Sequence, residues 1–189
     1  KSWAGGVTQP RMDIPGSSSM LTRRTTLRKL FWRPGRLAGV RPGSVLLYAM
    51  AWAQAETGVP VHQVVLMPNH HHTHVAETAS GGQVSDFQRI AHRASAVGLM
   101  RLLAAEGYEV PPAVWCASSK THQLHLVGAA AEAATLAYAR LNPVAAGLVG
   151  RTRDYPGVVV TWADWKRGYI DVPRPWCFDA RTHPPVRRL

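Results

Sequence analysis

Residues 62–77, HQVVLMPNHHHTHVAE, hold an apolar run and a histidine-rich run on either side of Pro68 and Asn69. Apolar runs of this length are typical of buried strands, and the Pro-Asn pair is typical of a turn. We therefore predict a β-hairpin in which residues 62–67 form one strand and residues 70–77 return beside it. The hairpin carries most of the nine histidines of the chain, so we expect the functional site to lie on it.

Three helices are predicted around the hairpin, and their ranges are residues 44–57, residues 85–107 and residues 129–141. The first is apolar on nearly all sides, which predicts burial against a sheet. Ser44 is its predicted cap, and Ser85 with Gln88 is the predicted capping box of the second helix. Asn142 and Pro143 are predicted to end the third helix, because proline disfavours helical dihedrals in the residue before it.

The remaining strand signals complete the predicted fold. Residues 19–26 predict a first strand, and residues 114–117 and 122–127 predict weaker strands after the second helix. The order strand, helix, hairpin, helix, strand, helix predicts an α+β fold. We expect a two-layer, ferredoxin-like arrangement, in which helices pack on one side of a mostly antiparallel sheet.

The chain of 189 residues is predicted to form one domain with a segment of different composition at each end. Residues 1–17 are rich in Gly, Pro and Ser, which predicts a flexible N-terminal arm. Residues 18–150 hold the predicted helices and strands. Residues 151–189 are rich in Arg, Trp and Pro without a clear period, which predicts a C-terminal tail packed on the domain.

The composition excludes several classes of protein. No run of about eighteen uncharged apolar residues occurs, so no membrane span is expected. Cys116 and Cys177 lie far apart without a C-x-x-C pair, which argues against a disulfide framework or zinc ribbon and fits a cytoplasmic protein. The 11 acidic residues include no D-x-D or D-x-E pair, so the converging carboxylates of a two-metal nuclease are not expected.

The charge of the chain predicts a polyanion as its partner. Lys and Arg number 22 against 11 Asp and Glu, which gives a formal net charge of +11. Most of the basic residues are Arg, whose guanidinium groups bind phosphate bidentately and stack on bases. Phe31 and Trp32 lie among them, a mixture that favours single-stranded or hairpin DNA over duplex DNA. The candidate DNA contacts are Arg23, Arg24, Arg28, Lys29, Arg151 and Arg153.

The histidines of the hairpin alternate along a predicted strand. His70, His72 and His74 are expected to share one face of this strand, and His71 is expected to point to the other. Two imidazoles about 6.6 Å apart along a strand can converge on one divalent ion. The alternation therefore predicts a metal site, although a histidine pair suits Zn²⁺ as well as Mg²⁺ or Mn²⁺.

Two segments carry a resemblance to a known family. VVLMPNHHHTHV at residues 64–75 and YARLNPVAAGLVGRTRDYPG at residues 138–157 resemble the paired motifs of the REP-associated tyrosine transposases, which are single-tyrosine HUH enzymes. LTRRTTLRKLFWRPG at residues 21–35 resembles the family as well, so the similarity spans roughly residues 20–157. The resemblance implies that the HUH motif (His, hydrophobic residue, His) lies on a central strand and that residues 18–150 form the catalytic domain.

The resemblance also implies roles for single residues. His70 and His72 match the metal ligands of the family, and Tyr138 matches the nucleophile. Mg²⁺ or Mn²⁺ is the implied cofactor, and the implied activity is cleavage and rejoining of hairpin-associated single-stranded DNA through a 5′-phosphotyrosine. The chain departs from the motif at its middle position, where His71 replaces a hydrophobic residue. A buried imidazole needs a hydrogen-bond partner, so this face is expected to be paired or partly hydrated.

Asn142 is the candidate third metal ligand. It lies four residues after Tyr138, so both side chains are expected on one face of a helix. Because Pro143 follows it, Asn142 is equally well suited to cap the end of that helix. His74 and Glu77 are the alternative ligands.

Other functions and assemblies are compatible with the same sequence. A binding module of this fold could hold hairpin or single-stranded DNA without cutting it. A zinc-dependent hydrolase is a second alternative, although no H-E-x-x-H motif is present. The sequence leaves open whether the protein is a monomer or a homodimer.

Overall fold

A computed structural model describes residues 14–117, 121–183, 185 and 188–189. Most of the predicted N-terminal arm therefore lies outside the described residues. The described secondary structure is, in chain order, β1 (Ser18–Arg24), a single-turn helix (Thr26–Arg28), α1 (Pro42–Thr57), β2 (Val61–Met67), β3 (His70–Ala76), α2 (Gln83–Ala105), β4 (His122–Leu126), α3 (Ala129–Ala145), a second single-turn helix (Thr152–Asp154), β5 (Val158–Val159) and α4 (Trp162–Arg167).

The strands form one sheet in the order β4-β1-β3-β2-β5, and all neighbours in it are antiparallel. β3, which carries the histidine motif, is the central strand. Because α1 connects β1 to β2 and α2 connects β3 to β4, the chain follows the β-α-β-β-α-β path of ferredoxin-like folds. The predicted α+β fold with its antiparallel sheet is confirmed.

The two faces of the sheet have different roles. Residues on one face, such as Leu21, Leu66 and Val75, join α1 and α2 in the main hydrophobic core. α1 is buried on most of its circumference, as its apolar sequence predicts. On the other face α3 lies over a smaller cluster, in which its Ala139 packs with Met20 and with residues of β2. Residues of β3 that alternate in sequence therefore face either the main core or α3.

The helix boundaries differ from the predictions in ways that have physical reasons. α1 begins at Pro42, and the hydroxyl of Ser44 donates to the carbonyl oxygen of Arg41 without capping the helix. α2 begins before Ser85, so the predicted capping box is wrong. The carboxylate of Glu77 instead accepts hydrogen bonds from the backbone N–H groups that open α2. A distant carboxylate thus replaces the local cap.

α3 does not end at Asn142 and Pro143 but continues to Ala145. Pro143 is buried in the last turn, where its missing N–H removes only one helical hydrogen bond. Residues 114–117 form no strand, although Trp115 makes a single antiparallel bridge with Thr25.

The C-terminal segment contributes more than a covering tail. β5 extends the sheet beside β2, and Val160, Val172, Cys177 and Phe178 are part of the main core. The aromatic ring of Phe178 lies so close to Gly98 of α2 that a Cβ there would approach it to 2.9 Å. The segment therefore fills the core beside α1 and α2.

Tyr155 connects this segment to the sheet. Its buried hydroxyl donates a 2.9 Å hydrogen bond to the carbonyl oxygen of Leu66, and burial raises the pKa of Tyr155 to about 12. A Cβ at Gly157 would lie 2.3 Å from the Tyr155 ring, so glycine is required there. Tyr155 and Gly157 of the D-Y-P-G motif at residues 154–157 therefore have a role in packing.

We predict that Tyr155→Phe lowers the free energy of unfolding by about 1–2 kcal/mol, because the buried Leu66 carbonyl loses its donor. Tyr108→Phe is the matched control, since Tyr108 is 61% exposed, and it should change stability by less than about 0.5 kcal/mol. Urea unfolding followed by circular dichroism measures both. Equal stability of the two variants would contradict the role of this hydrogen bond.

Candidate active site

A pocket of about 250 Å³ lies between the β1–β3 pair and α3. Thr22 and Arg24 of β1 lie directly opposite His72 and His70 of β3, so all four side chains share the face covered by α3. The residues that line the pocket are Thr22, Arg24, Arg28, Asn69, His70, His72, Tyr138 and Asn142. The structure thus brings together most of the residues that the sequence predicted separately.

Each histidine of the pair is held by a hydrogen bond at Nδ1. The Nδ1 atom of His70 lies 2.7 Å from Oδ1 of Asn69, and that of His72 lies 2.8 Å from Oγ1 of Thr22. Because the amide oxygen of Asn69 can only accept, Nδ1 of His70 donates and its Nε2 keeps a lone pair. In the tautomer of His72 that donates from Nδ1 to Thr22, Nε2 of this ring is available in the same way. The two ring centroids are 4.9 Å apart. Two nitrogen ligands are therefore positioned within one pocket.

The surroundings of both histidines lower their pKa values, which favours the neutral imidazole. Burial, followed by the charge of His70 and of Arg24, lowers the pKa of His72 to about 4. Burial and Arg24 also lower the pKa of His70. A neutral imidazole is the form that binds a metal ion, so the surroundings of the pair favour coordination.

Tyr138 lies beside this pair at the surface. Its ring centroid is 5.9 Å from that of His72 with the rings at 75°, and 64% of the residue is exposed. The neighbouring Ala139 is fully buried against the sheet, and the carbonyl of Leu136 accepts a hydrogen bond from Gln63 of β2. These contacts anchor α3, so the phenol is presented at the edge of the pocket.

Asn142 is one turn further along α3 from Tyr138. Its Nδ2 atom donates a 3.3 Å hydrogen bond to the carbonyl oxygen of Tyr138, and the helix continues past it to Ala145. Asn142 therefore does not cap the helix. With Nδ2 engaged, Oδ1 is the atom that can serve as a ligand, so Asn142 stays the predicted third ligand.

The alternative ligands lie elsewhere. Glu77 is buried and caps α2. His74 lines a second cavity together with His62. Within the described residues, no three His, Cys, Asp or Glu side chains gather in a geometry that could hold a metal ion. Metal binding in the first pocket would therefore use two histidine nitrogens and an amide oxygen.

The fold has a known structural counterpart. A solved structure of a REP-associated tyrosine transposase bound to a REP hairpin aligns with 97% of this chain and 98% of its own, with a TM-score of 0.57 and 16% sequence identity. The two proteins share a fold. A structure from Deinococcus radiodurans R1, described as a candidate transposase, covers 70% of this chain and 95% of its own at 17% identity, with a TM-score of 0.46. No protein-family model and no curated protein matches the chain.

Two of the candidate arginines border the pocket. Arg24 lies on β1, and Arg28 is the last residue of the single-turn helix that follows it. In this turn Leu27 and Arg28 adopt positive φ angles of 52° and 54°. Such backbone conformations are unfavourable for residues other than glycine and are enriched at functional sites. Here the turn places a guanidinium at the pocket, where it can bind phosphate.

The other basic candidates lie outside the pocket. Arg23 faces the opposite side of the sheet, where it contacts the hydroxyl of Thr121. Lys29 and Arg151 are exposed on the surface. Arg153 lines a separate cavity and lies 3.8 Å from the carboxylate of Asp154. Their predicted DNA contacts are therefore more distant from the histidine pair than those of Arg24.

His71 is buried on the far side of β3. Its Nδ1 atom lies 2.9 Å from the hydroxyl of Thr73, which donates to the sulfur of Met50, and its Nε2 atom lies 2.9 Å from Nε2 of His92. Burial, and then the charge of His92, lower the pKa of His71 well below its ordinary value. The sequence predicts a hydrogen-bond partner for a buried His71, and the structure provides His92 of α2.

The sequence analysis missed Thr22 and Asn69. Neither residue belongs to the histidine motif, and their role depends on a side chain across a strand or in the adjoining turn. The sequence pattern places Asn69 only in the turn. The strand register that identifies Thr22 cannot be read from local sequence.

We predict that His72→Ala abolishes Mn²⁺ binding and that Thr22→Val weakens it by about 10- to 100-fold, because an orienting hydrogen bond is lost. His125→Ala is the control, since His125 lies on the edge strand β4 opposite Ser19, on the other face of the sheet. Isothermal titration calorimetry gives the affinities, and circular dichroism verifies the fold. Unaltered Mn²⁺ binding by His72→Ala would refute the site.

Among the described residues, no helix has the length and apolar character needed to span a membrane.

Proposed function

We propose that this chain is a metal-dependent single-strand DNA endonuclease and strand transferase, which cleaves and rejoins hairpin-associated DNA through a 5′-phosphotyrosine. One observation carries the proposal: the phenol of Tyr138 lies beside His72 at the edge of a pocket that also holds a second histidine, His70. A nucleophile, two metal-binding nitrogens and two guanidinium groups are the components that phosphoryl transfer to a tyrosine requires.

The donor set of the pocket fits a divalent metal ion. The available atoms are Nε2 of His70, Nε2 of His72 and Oδ1 of Asn142, and the first two are oriented by hydrogen bonds at their Nδ1 atoms. A bound Mg²⁺ or Mn²⁺ ion would polarise a phosphate oxygen as a Lewis acid. The oxygen-rich DNA backbone would complete its coordination, in keeping with the preference of these ions for oxygen.

Arg24 and Arg28 would position the DNA strand. Their guanidinium groups border the same pocket as the tyrosine, so they can donate hydrogen bonds to the phosphates on either side of the scissile bond. The exposed position of Tyr138 leaves room for a phosphodiester beside its hydroxyl. Holding both reactants in one geometry lowers the entropic part of the barrier.

The chemical step replaces one phosphoester bond by another. The Tyr138 oxygen attacks phosphorus and forms a P–O bond, and its proton leaves to solvent. The bond from phosphorus to the 3′ oxygen of the preceding nucleotide breaks, and that oxygen gains a proton to become a free 3′-hydroxyl. Because a phenol, with a pKa near 10, is a better leaving group than an alkoxide, a 3′-hydroxyl can reverse the reaction and rejoin the strand.

Hairpin DNA is the proposed partner. The structural counterpart is a REP-associated tyrosine transposase that is bound to a REP hairpin, and its fold is shared over nearly the whole of both chains. The net charge of +11 favours a nucleic acid. A pocket that admits one phosphodiester beside an exposed tyrosine suits an unpaired strand next to the hairpin.

The alternative functions are less well supported. A zinc hydrolase needs a general base, and among the described residues that line the pocket there is no Asp or Glu. A module that binds hairpin DNA without cutting it would not need the nucleophile beside the histidine pair. A covalent adduct between Tyr138 and DNA is expected of the proposed enzyme and is not expected of a module that only binds.

We predict that Tyr138→Phe binds Mn²⁺ and hairpin DNA with unchanged affinity but forms no covalent adduct, because only the attacking oxygen is removed. Tyr108→Phe is the matched control, since the two tyrosines are 64% and 61% exposed. The substrate is a pool of DNA hairpins with randomised single-stranded flanks, and a denaturing gel detects the adduct. An adduct in Tyr138→Phe that maps to another tyrosine would overturn the assignment.

We predict that DNA affinity falls with salt at a log–log slope of about −0.7 for each neutralised phosphate. Arg28→Gln should reduce the magnitude of this slope by about 0.7, because one phosphate contact is lost. Arg93→Gln is the control, since Arg93 is exposed on α2 on the other side of the sheet. Fluorescence anisotropy measures the slopes, and identical slopes for all three proteins would contradict phosphate binding by Arg28.

A further inference from the structure

A second and larger cavity lies under the N-terminal half of α3. Its volume is about 540 Å³, within the range of pockets that bind small organic ligands. α3 forms one wall with Ala129, Glu132 and Leu136, and the adjoining strands and α4 form the others. None of these residues belongs to the active-site pocket.

His74 faces this cavity without hydrogen-bond partners. The residue is only 4% exposed, and within the described part of the chain both Nδ1 and Nε2 are buried and unpaired. Gln63, its neighbour across the strands, likewise has a buried Oε1 atom without a partner. Buried polar atoms are rarely left unpaired in folded proteins. Two such atoms on one side chain that lines the cavity indicate that it takes a polar ligand.

The other walls combine aromatic rings with a carboxylate. Trp165 and Tyr169 line the cavity, and the indole N–H of Trp165 is fixed by a 2.7 Å hydrogen bond to the carbonyl oxygen of His62. Glu132 lines it from the first turn of α3, where a helix favours negative charge. A flat aromatic wall beside a hydrogen-bond acceptor suits a planar ligand with N–H donors.

The cavity lies close to the proposed path of the DNA. His74 is two residues from His72 on the same face of β3, a separation of about 6.6 Å. Glu132 precedes Tyr138 by six residues on α3, which corresponds to about 9 Å along the helix axis. The exposed Lys166 follows Trp165 and can bind phosphate outside the cavity. A nucleotide next to the cleavage site can therefore reach this position.

We propose that this cavity binds one unpaired nucleobase and prefers the bases that carry an exocyclic amine, namely guanine, adenine and cytosine, over thymine. The inference rests on the proposed function, because it takes the ligand from the DNA strand at the active site. Trp165 stacks on the base, and the carboxylate of Glu132 accepts from its amine. The imidazole of His74 pairs with a ring nitrogen or carbonyl oxygen. Thymine has no amine to offer Glu132.

The test uses free deoxynucleosides and needs neither metal nor cleavage. Binding is followed by the indole N–H resonance of Trp165 in ¹⁵N-labelled protein, assigned with Trp165→Phe. Deoxyguanosine, deoxyadenosine or deoxycytidine should shift this resonance in a saturable manner, at least about fivefold more tightly than thymidine. Glu132→Gln should weaken binding of the amine-bearing nucleosides at least about fivefold, and Glu109→Gln, which alters an exposed glutamate, should not.

Three results would overturn the proposal: equal binding of thymidine, equal binding by Glu132→Gln, or no shift with any nucleoside. A shift caused by Zn²⁺ alone, and lost in His74→Ala, would assign the cavity to a metal and also overturn it. The outcome is independent of cleavage. A protein that forms the Tyr138 adduct but binds no nucleoside would refute nucleobase binding in the cavity and leave the proposed cleavage standing. A protein that binds nucleosides but forms no adduct would refute the proposed cleavage and leave the cavity standing.

Discussion

The hydrogen bond between Thr22 and His72 is the interaction on which the site depends. It exists because β1 pairs with β3 in the register that places these two residues opposite each other. A shift of one residue would turn Thr22 to the other face of the sheet. The same register places Arg24 opposite His70, so the strand pairing that builds the fold also brings together the two proposed metal ligands and a proposed phosphate-binding group.

The two faces of β3 have separate tasks. His70 and His72 face α3 and keep their Nε2 atoms available, whereas His71 faces the main core and uses both ring nitrogens in hydrogen bonds. Replacing the usual hydrophobic residue by a buried imidazole is tolerated because Thr73 and His92 satisfy it. Burial lowers the pKa of His71 well below its ordinary value, which favours the neutral imidazole, so this side chain adds no charge beneath β3.

The sequence predicted what depends on local patterns and missed what depends on distant contacts. The hairpin and the alternation of its histidines follow from composition and period, and the central position of β3 follows from the family resemblance. The fold of the structure agrees with all three. The cap of α2 could not be predicted, because the carboxylate of Glu77 replaces a local cap. Pro143 marked a helix end too early, since a proline in a last turn costs little. The hydrogen bonds of Asn69 and Thr22 to the histidine pair could be identified only from the conformation of the turn and the register of the strands.

The anomalous scattering of Mn²⁺ in a crystal of the protein locates a bound metal ion relative to the two histidines. If the fold aims Nε2 of His70 and Nε2 of His72 at one ion beside Tyr138, one peak lies within bonding distance of both Nε2 atoms, with Oδ1 of Asn142 turned toward it. A peak bound to His74 and His62 instead, or coordinated through an Nδ1 atom of the pair, would show that the two Nε2 atoms do not share a metal ion.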